Sequence, residues 1–134
     1  MEKFLDVLDY LLAYTQYHAL IPGKIETWNV IIDAKDVSVF EFPVASLGSM
    51  VKRIIADYKV RGNHMIAVNT HWLLAKAVNF VQPMLSPRVA GKTFLFTNDY
   101  HDHLDALIGK ARLEQKFGGE LPNVESNFFP PRYN

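Results

Sequence analysis

NTHWLLAKAVNFVQPMLSPRVAGKTFLF, running from Asn69 to Phe96, holds a strand end, an apolar helix, a proline stop and the next strand with no spare residues. At about 100° per residue, Leu73, Leu74, Ala77, Val78, Phe80, Val81, Met84 and Leu85 share one broad apolar arc, and Lys76, Asn79 and Gln82 lie opposite. Pro83 lacks the donor a helix needs and disfavours α geometry at Gln82, so the helix is predicted to end there. Ser86 is then placed to cap a short second turn, opened by Pro87 and closed by Gly91. Such a helix is the ordinary crossover of a βαβ unit. Trp72 and Ala75, however, fall on the otherwise polar face, and a helix that is apolar on more than one side needs further cover: a second layer, a bound apolar ligand or a membrane.

Working outward, Trp28 to Asp33 reads as a strand whose unbroken apolar centre, Val30-Ile31-Ile32, suits a parallel strand covered on both faces. Met65 to Val68 and Thr93 to Phe96 repeat the short apolar run, and a helix from Val44 to Tyr58 is predicted between the first two. Strand starts recurring about every 30 residues with a helix between them predict an α/β fold, a mainly parallel βαβαβ sheet with covering helices. Ahead of the sheet, Phe4, Leu5, Val7, Leu8, Leu11, Leu12 and Tyr14 share one side of a helix from Lys3 to His18. A last helix, Tyr100 to Ile108, is expected to take its cap from Asn98 or Asp99. The expected organisation is one domain over residues 1–119 and an extended tail over 120–134, with Phe128 and Phe129 available to dock.

Several chemistries are disfavoured. Zero formal charge over 134 residues and a pI near 7.0 lack the electrostatic footprint of a nucleic-acid binder. With no cysteine there is no thiol nucleophile, disulfide frame or thiolate metal site. No Gly-rich phosphate loop and no G-x-S-x-G elbow is present. His101 and His103 alternate with Asp99, Asp102 and Asp105, but residues two apart on a helix face different ways, so no metal site is expected. The opening MEKFLDVLDY is acidic and amphipathic, unlike a signal peptide, and no apolar run approaches the length of a membrane span. The expectation is a cytoplasmic protein with no catalytic residue and no cofactor. His71, at a strand end before a helix, is either a satisfied boundary residue or a polar pocket group.

The topology also sorts the charges. In a parallel sheet the residues before each strand collect on one edge, and here these are Lys24, Lys59, Arg61, Arg88 and Lys92, joined by Lys110 and Arg112 after the last helix. Those after the strands include Asp33, Asp36, Glu41, Asp99, Asp102 and Asp105. Complementing helix dipoles would produce part of this pattern. It nonetheless makes the edge that open α/β folds normally offer to phosphates acidic.

VIID (Val30 to Asp33), YKVR (Tyr58 to Arg61), NTH (Asn69 to His71), VQPML (Val81 to Leu85), KTFLF (Lys92 to Phe96) and LEQKFGG (Leu113 to Gly119) follow one another in an order that resembles the CRAL-TRIO lipid-binding domain family. This is the module of phosphatidylinositol-transfer, retinaldehyde-binding and α-tocopherol transfer proteins. The resemblance implies a non-enzymatic domain that binds, and transfers between membranes, a hydrophobic or phospholipid ligand in an apolar pocket under a gating helix. The pocket wall would be Leu73, Leu74, Ala77, Val78, Val81 and Met84, with Trp72 and Phe80 at its mouth. Lys92 stands where the family's Lys leads the strand, so Lys92 and Arg88 are the candidates for a lipid phosphate.

The family's Tyr-Pro-Glu-Arg is Tyr58-Lys59-Val60-Arg61 here, so the phosphate contact is kept and the inositol contact is not. Arg61, Lys110 and Arg112 would extend the basic edge into a patch for a transient encounter with an anionic membrane. The family's N-terminal lobe and opening strand have no counterpart ahead of Met1, which suggests a homodimer or a partner supplying that lobe, with Phe4, Leu8, Leu11 or Tyr14 in the interface. The alternatives are that the tail covers the gap, and that the domain has lost its cavity and serves as a protein-interaction module.

Overall fold

A computed structural model describes residues 2–38, 61–81, 83 and 85–130. The predicted helix from Val44 to Tyr58 lies outside them, as do Met84 and the side chains of Phe4, Ala77, Phe80 and Val81. The chain divides into two compact units, Met1–Asn98 and Asp99–Asn134.

The first unit opens with helix α1, Glu2–His18. Leu12 is buried, and the rings of Tyr10, Tyr14 and His18, four residues apart, form a ladder of tilted contacts with centroids 5.8 and 4.2 Å apart. Ile21 and Ile25 exchange main-chain hydrogen bonds of 2.8 Å around the turn at Pro22 and Gly23. Gly23 has a φ of 76°, where a side chain would be strained.

Three parallel strands follow, β1 (Trp28–Asp33), β2 (Gly62–Val68) and β3 (Thr93–Leu95), in the spatial order β1-β2-β3. The expected parallel α/β architecture is what the chain adopts. β2 begins three residues earlier than its apolar run suggests. Gly62, Asn63 and His64 are poor strand formers alone, but β1 supplies partners for them: Trp28 pairs with Gly62 and Asn29 with His64, leaving Asn63 as a bulge. β3 joins later, Thr93 opposite Met65, so the strand starts are stepped across the sheet.

Ile66 and Val68 are fully buried on the central strand. The expectation that β1 is covered on both faces does not hold, since Ile32 is 39 % exposed. β1 is the edge strand among the described residues, and an edge has neighbours on one side only. Between β2 and β3 run helix α2 (Trp72–Val81) and the one-turn helix α3 (Pro87–Ala90). Ser86 occupies the cap position as expected, but its carbonyl rather than its hydroxyl does the work, accepting from the N–H groups of Val89 and Ala90 at 2.9 Å.

In the second unit, helix α4 (His101–Ile108) starts at Tyr100, and neither Asn98 nor Asp99 caps it. Asp99 is in the left-handed region at φ 56°, which directs the chain into the helix without an Asx cap. Two 3-10 turns, Lys110–Arg112 and Gln115–Phe117, complete the unit, with Tyr100, Leu104, Leu113 and Phe117 buried. The start of the tail is fastened: Leu121 N–H donates to Leu113 O at 2.9 Å, and Lys116 N–H to Asn123 Oδ1 at 2.8 Å. Phe128 and Phe129 are each 55 % exposed.

Gly119 allows this fastening, because a Cβ there would collide with the carbonyl of Leu113. Gly119→Ala is therefore expected to destabilise the protein by more than about 1 kcal/mol in urea denaturation. Ile66→Ala should cost about 2–5 kcal/mol through a core cavity, and Ile32→Ala clearly less.

Candidate functional site

Thr70 joins the end of β2 to the end of β3. Its N–H and its hydroxyl both donate to Phe96 O at 3.0 Å, and its side chain is buried. Asn69, just before it, turns the chain at φ 54° and donates from Nδ2 to Asp33 Oδ1 at 2.9 Å. The ends of all three strands are thus tied together where α2 begins.

His71 is the N-cap of α2. Its carbonyl accepts from Ala75 N–H at 3.1 Å, and its Nδ1 accepts from Leu73 N–H at 3.2 Å. That geometry requires Nδ1 to be unprotonated, with the ring proton on Nε2. The imidazole does the work usually assigned to Ser, Asp or Asn, satisfying one of the orphan donors of the first turn. This function went unseen in the sequence because histidine is not in the usual capping set. The structure makes His71 the boundary residue of the two readings offered for it.

Along α2, Trp72 is 56 % and Leu73 40 % exposed, and Lys76 and Asn79 are exposed beside them. Leu74, Ala75 and Val78 are half-buried. The exposed arc of the helix thus carries an indole and a leucine. Lys76 Nζ sits 5.0 Å from the centroid of the Trp72 ring, which also lies 5.6 Å from His71. An ammonium over an indole face is a cation–π contact that stabilises by roughly 0.5–1 kcal/mol at an exposed site. It also holds the ring against the helix.

The basic candidates divide between the two units. Arg61, Arg88 and Lys92 belong to the first; Lys110 and Arg112 to the second. Lys92 immediately precedes β3 and its carbonyl accepts from Met65 N–H at 2.9 Å, while Arg88 is exposed on α3. Among the described residues neither makes a salt bridge, leaving both cations free for an anion. Lys110 Nζ, by contrast, is 3.8 Å from Asp105 Oδ2.

Arg61 donates from Nη1 to Glu26 O at 3.4 Å and lines a pocket of about 170 Å³ with Gln16, Leu20, Pro22, Ile25 and Glu26. Sites for whole small molecules usually run to about 300–1,000 Å³, so this one holds a single group at most. Among the described residues no cluster of three or more His, Asp or Glu could hold a metal ion, and no helix is long and apolar enough to cross a membrane. His101 stacks on Tyr100, with ring centroids 4.3 Å apart.

Replacing His71 by Ala should cost about 1 kcal/mol of helix stability, whereas His71→Asn should retain most of it. Amide exchange at Leu73 and Ala75 reads this directly: faster in the alanine variant, near wild type in the asparagine one.

A family model described as the CRAL/TRIO domain matches residues 1–119. No curated protein matches the chain.

Proposed function

We propose, for a chain that belongs to the CRAL/TRIO domain family, that it carries a phospholipid or other small hydrophobic ligand under α2 and passes it between membranes. Binding of lipids and small hydrophobic molecules, without catalysis, is the general property of that family. Its chief support is α2, a helix that exposes Trp72 and Leu73 on one side and keeps Leu74, Ala75 and Val78 half-buried on the other. In this reading the half-buried arc of Leu74, Ala75 and Val78 meets the ligand, while Trp72 and Leu73 meet the bilayer as α2 opens. Burial of apolar surface at about 25 cal/mol per Å² makes one acyl chain sufficient for several kcal/mol, so no covalent chemistry is required.

Arg88 and Lys92, without carboxylate partners among the described residues, hold the lipid phosphate through charge-assisted hydrogen bonds. Arg61, Lys110 and Arg112 contribute to the encounter with an anionic surface, each worth about 1 kcal/mol near the headgroups. The protein in this reading is cytoplasmic and visits membranes transiently.

Organic extraction of the purified protein followed by mass spectrometry tests the central claim. A stoichiometric lipid is expected. An empty protein that also takes up none from vesicles would overturn the claim in favour of a protein-interaction module. In a Trp28→Phe background, Trp72 emission should shift to the blue on adding anionic vesicles and remain unshifted with neutral ones. The double reversal Arg88→Glu with Lys92→Glu should weaken vesicle binding by roughly 30-fold or more, with little change in melting temperature.

A further inference from the structure

Among the described residues strand β1 has an open edge, with donors and acceptors arranged to match themselves. Trp28 N–H donates to Arg61 O and Ala34 N–H to Val68 O, at 3.0 and 2.9 Å. Peptide groups alternate along a strand, so Trp28, Val30, Ile32 and Ala34 serve the ladder to β2, and Asn29, Ile31 and Asp33 turn their N–H and C=O groups outward. Among the described residues β1 pairs with β2 alone. Natural edges are usually guarded by lysine, proline or inward charge, and Trp28–Asp33 contains no lysine or proline.

The side chains on this edge are half used. Asn29 Oδ1 is taken by Asn63 Nδ2 at 3.1 Å and approached by His64 Nδ1 at 3.3 Å, and among the described residues the Asn29 amide hydrogens have no acceptor. Asp33 Oδ1 accepts from Lys35 N–H at 3.0 Å and Asn69 Nδ2 at 2.9 Å, and among the described residues Oδ2 has no donor. Both side chains are exposed and lie on the same face of the strand.

We propose that β1 is a self-pairing edge, at which a second copy of this chain adds its own β1 antiparallel, centred on Ile31. In that register Ile31 faces its counterpart and Asn29 faces Asp33 of the second copy in hydrogen-bonded pairs. The spare amide donor of one chain meets the spare carboxylate oxygen of the other, twice by symmetry. On the opposite face Val30 covers the exposed Ile32 of the second copy. Antiparallel pairing also sets the end of β1 that carries Asp33 and Asp36 against the end flanked by Lys24 and Arg61. The interface is isologous, and it joins two three-stranded sheets into one continuous sheet.

Sedimentation velocity across the micromolar range, on the full chain, tests the pairing and its register. Wild type should show concentration-dependent dimerisation. Asn29→Asp places carboxylates opposite one another at both symmetric positions and should weaken the dimer at least about tenfold. The double variant N29D/D33N exchanges donor and acceptor and should restore it. Both changes keep an oxygen acceptor for Asn63, Lys35 and Asn69, so the monomer fold is preserved, which far-UV circular dichroism checks. Ile31→Pro, which removes an outward N–H and leaves the ladder to β2 intact, should also give monomer. A wild type that stays monomeric, a dimer indifferent to Asn29→Asp, or a swap that fails to restore association would each overturn the proposal.

Discussion

Everything described in the first unit hangs on β2 bonding in parallel to a neighbour on each side. Parallel strands cannot be joined by a tight turn, so each pairing obliges the chain to leave the sheet at one end and return to the other. The stretch from Asn69 to Lys92 does this with two helices and little else. Because both ladders run the same way, the starts of the strands gather cations and the ends gather Asp33, Asn69 and Thr70. The division of labour between a basic edge and a tied, helix-launching edge follows from that one constraint.

The launching edge is stiff for identifiable reasons. Thr70 places two donors on one carbonyl, Asn69 adopts a left-handed turn to reach Asp33, and His71 closes the first turn of α2 with its own ring. Each buried or capped group is satisfied locally, so the start of α2 is fixed to the sheet while its exposed arc keeps an indole and a leucine in water. That anchorage at one end, with apolar groups carried outward, is what the proposed opening of α2 would use.

The architecture was legible because the apolar runs of Val30–Ile32, Met65–Val68 and Thr93–Phe96 have the length and evenness of parallel strands, and because Pro83, Pro87 and Gly91 punctuate the crossover. The exposure of Trp72 was legible too, since it falls opposite the apolar arc. Other features were not. Gly62, Asn63 and His64 join a strand only because β1 provides partners, a tertiary effect no local propensity carries. Leu73 sits on the apolar arc of the wheel yet is exposed, since its surroundings depend on what the helix packs against. The capping imidazole of His71 was hidden because its neutral ring nitrogen imitates a carboxylate oxygen at that one position. The unused atoms of Asn29 and Asp33 were not legible either, because the hydrogen bonds that occupy the other atoms come from Asn63 and Asn69, more than 30 residues away.

The stepped starts of the strands give the basic edge depth as well as charge. β3 joins β2 three residues after β1 does, which at about 3.3 Å per residue sets Arg61 and Lys92 roughly 10 Å apart along the strand direction. That offset is about one Debye length at moderate ionic strength. A planar anionic surface approaching along the strands would therefore feel the two cations in succession. In the proposed membrane encounter Arg61 would be the long-range attractor and Lys92 would enter only on close contact, so added salt would slow the approach before it weakened the final grip.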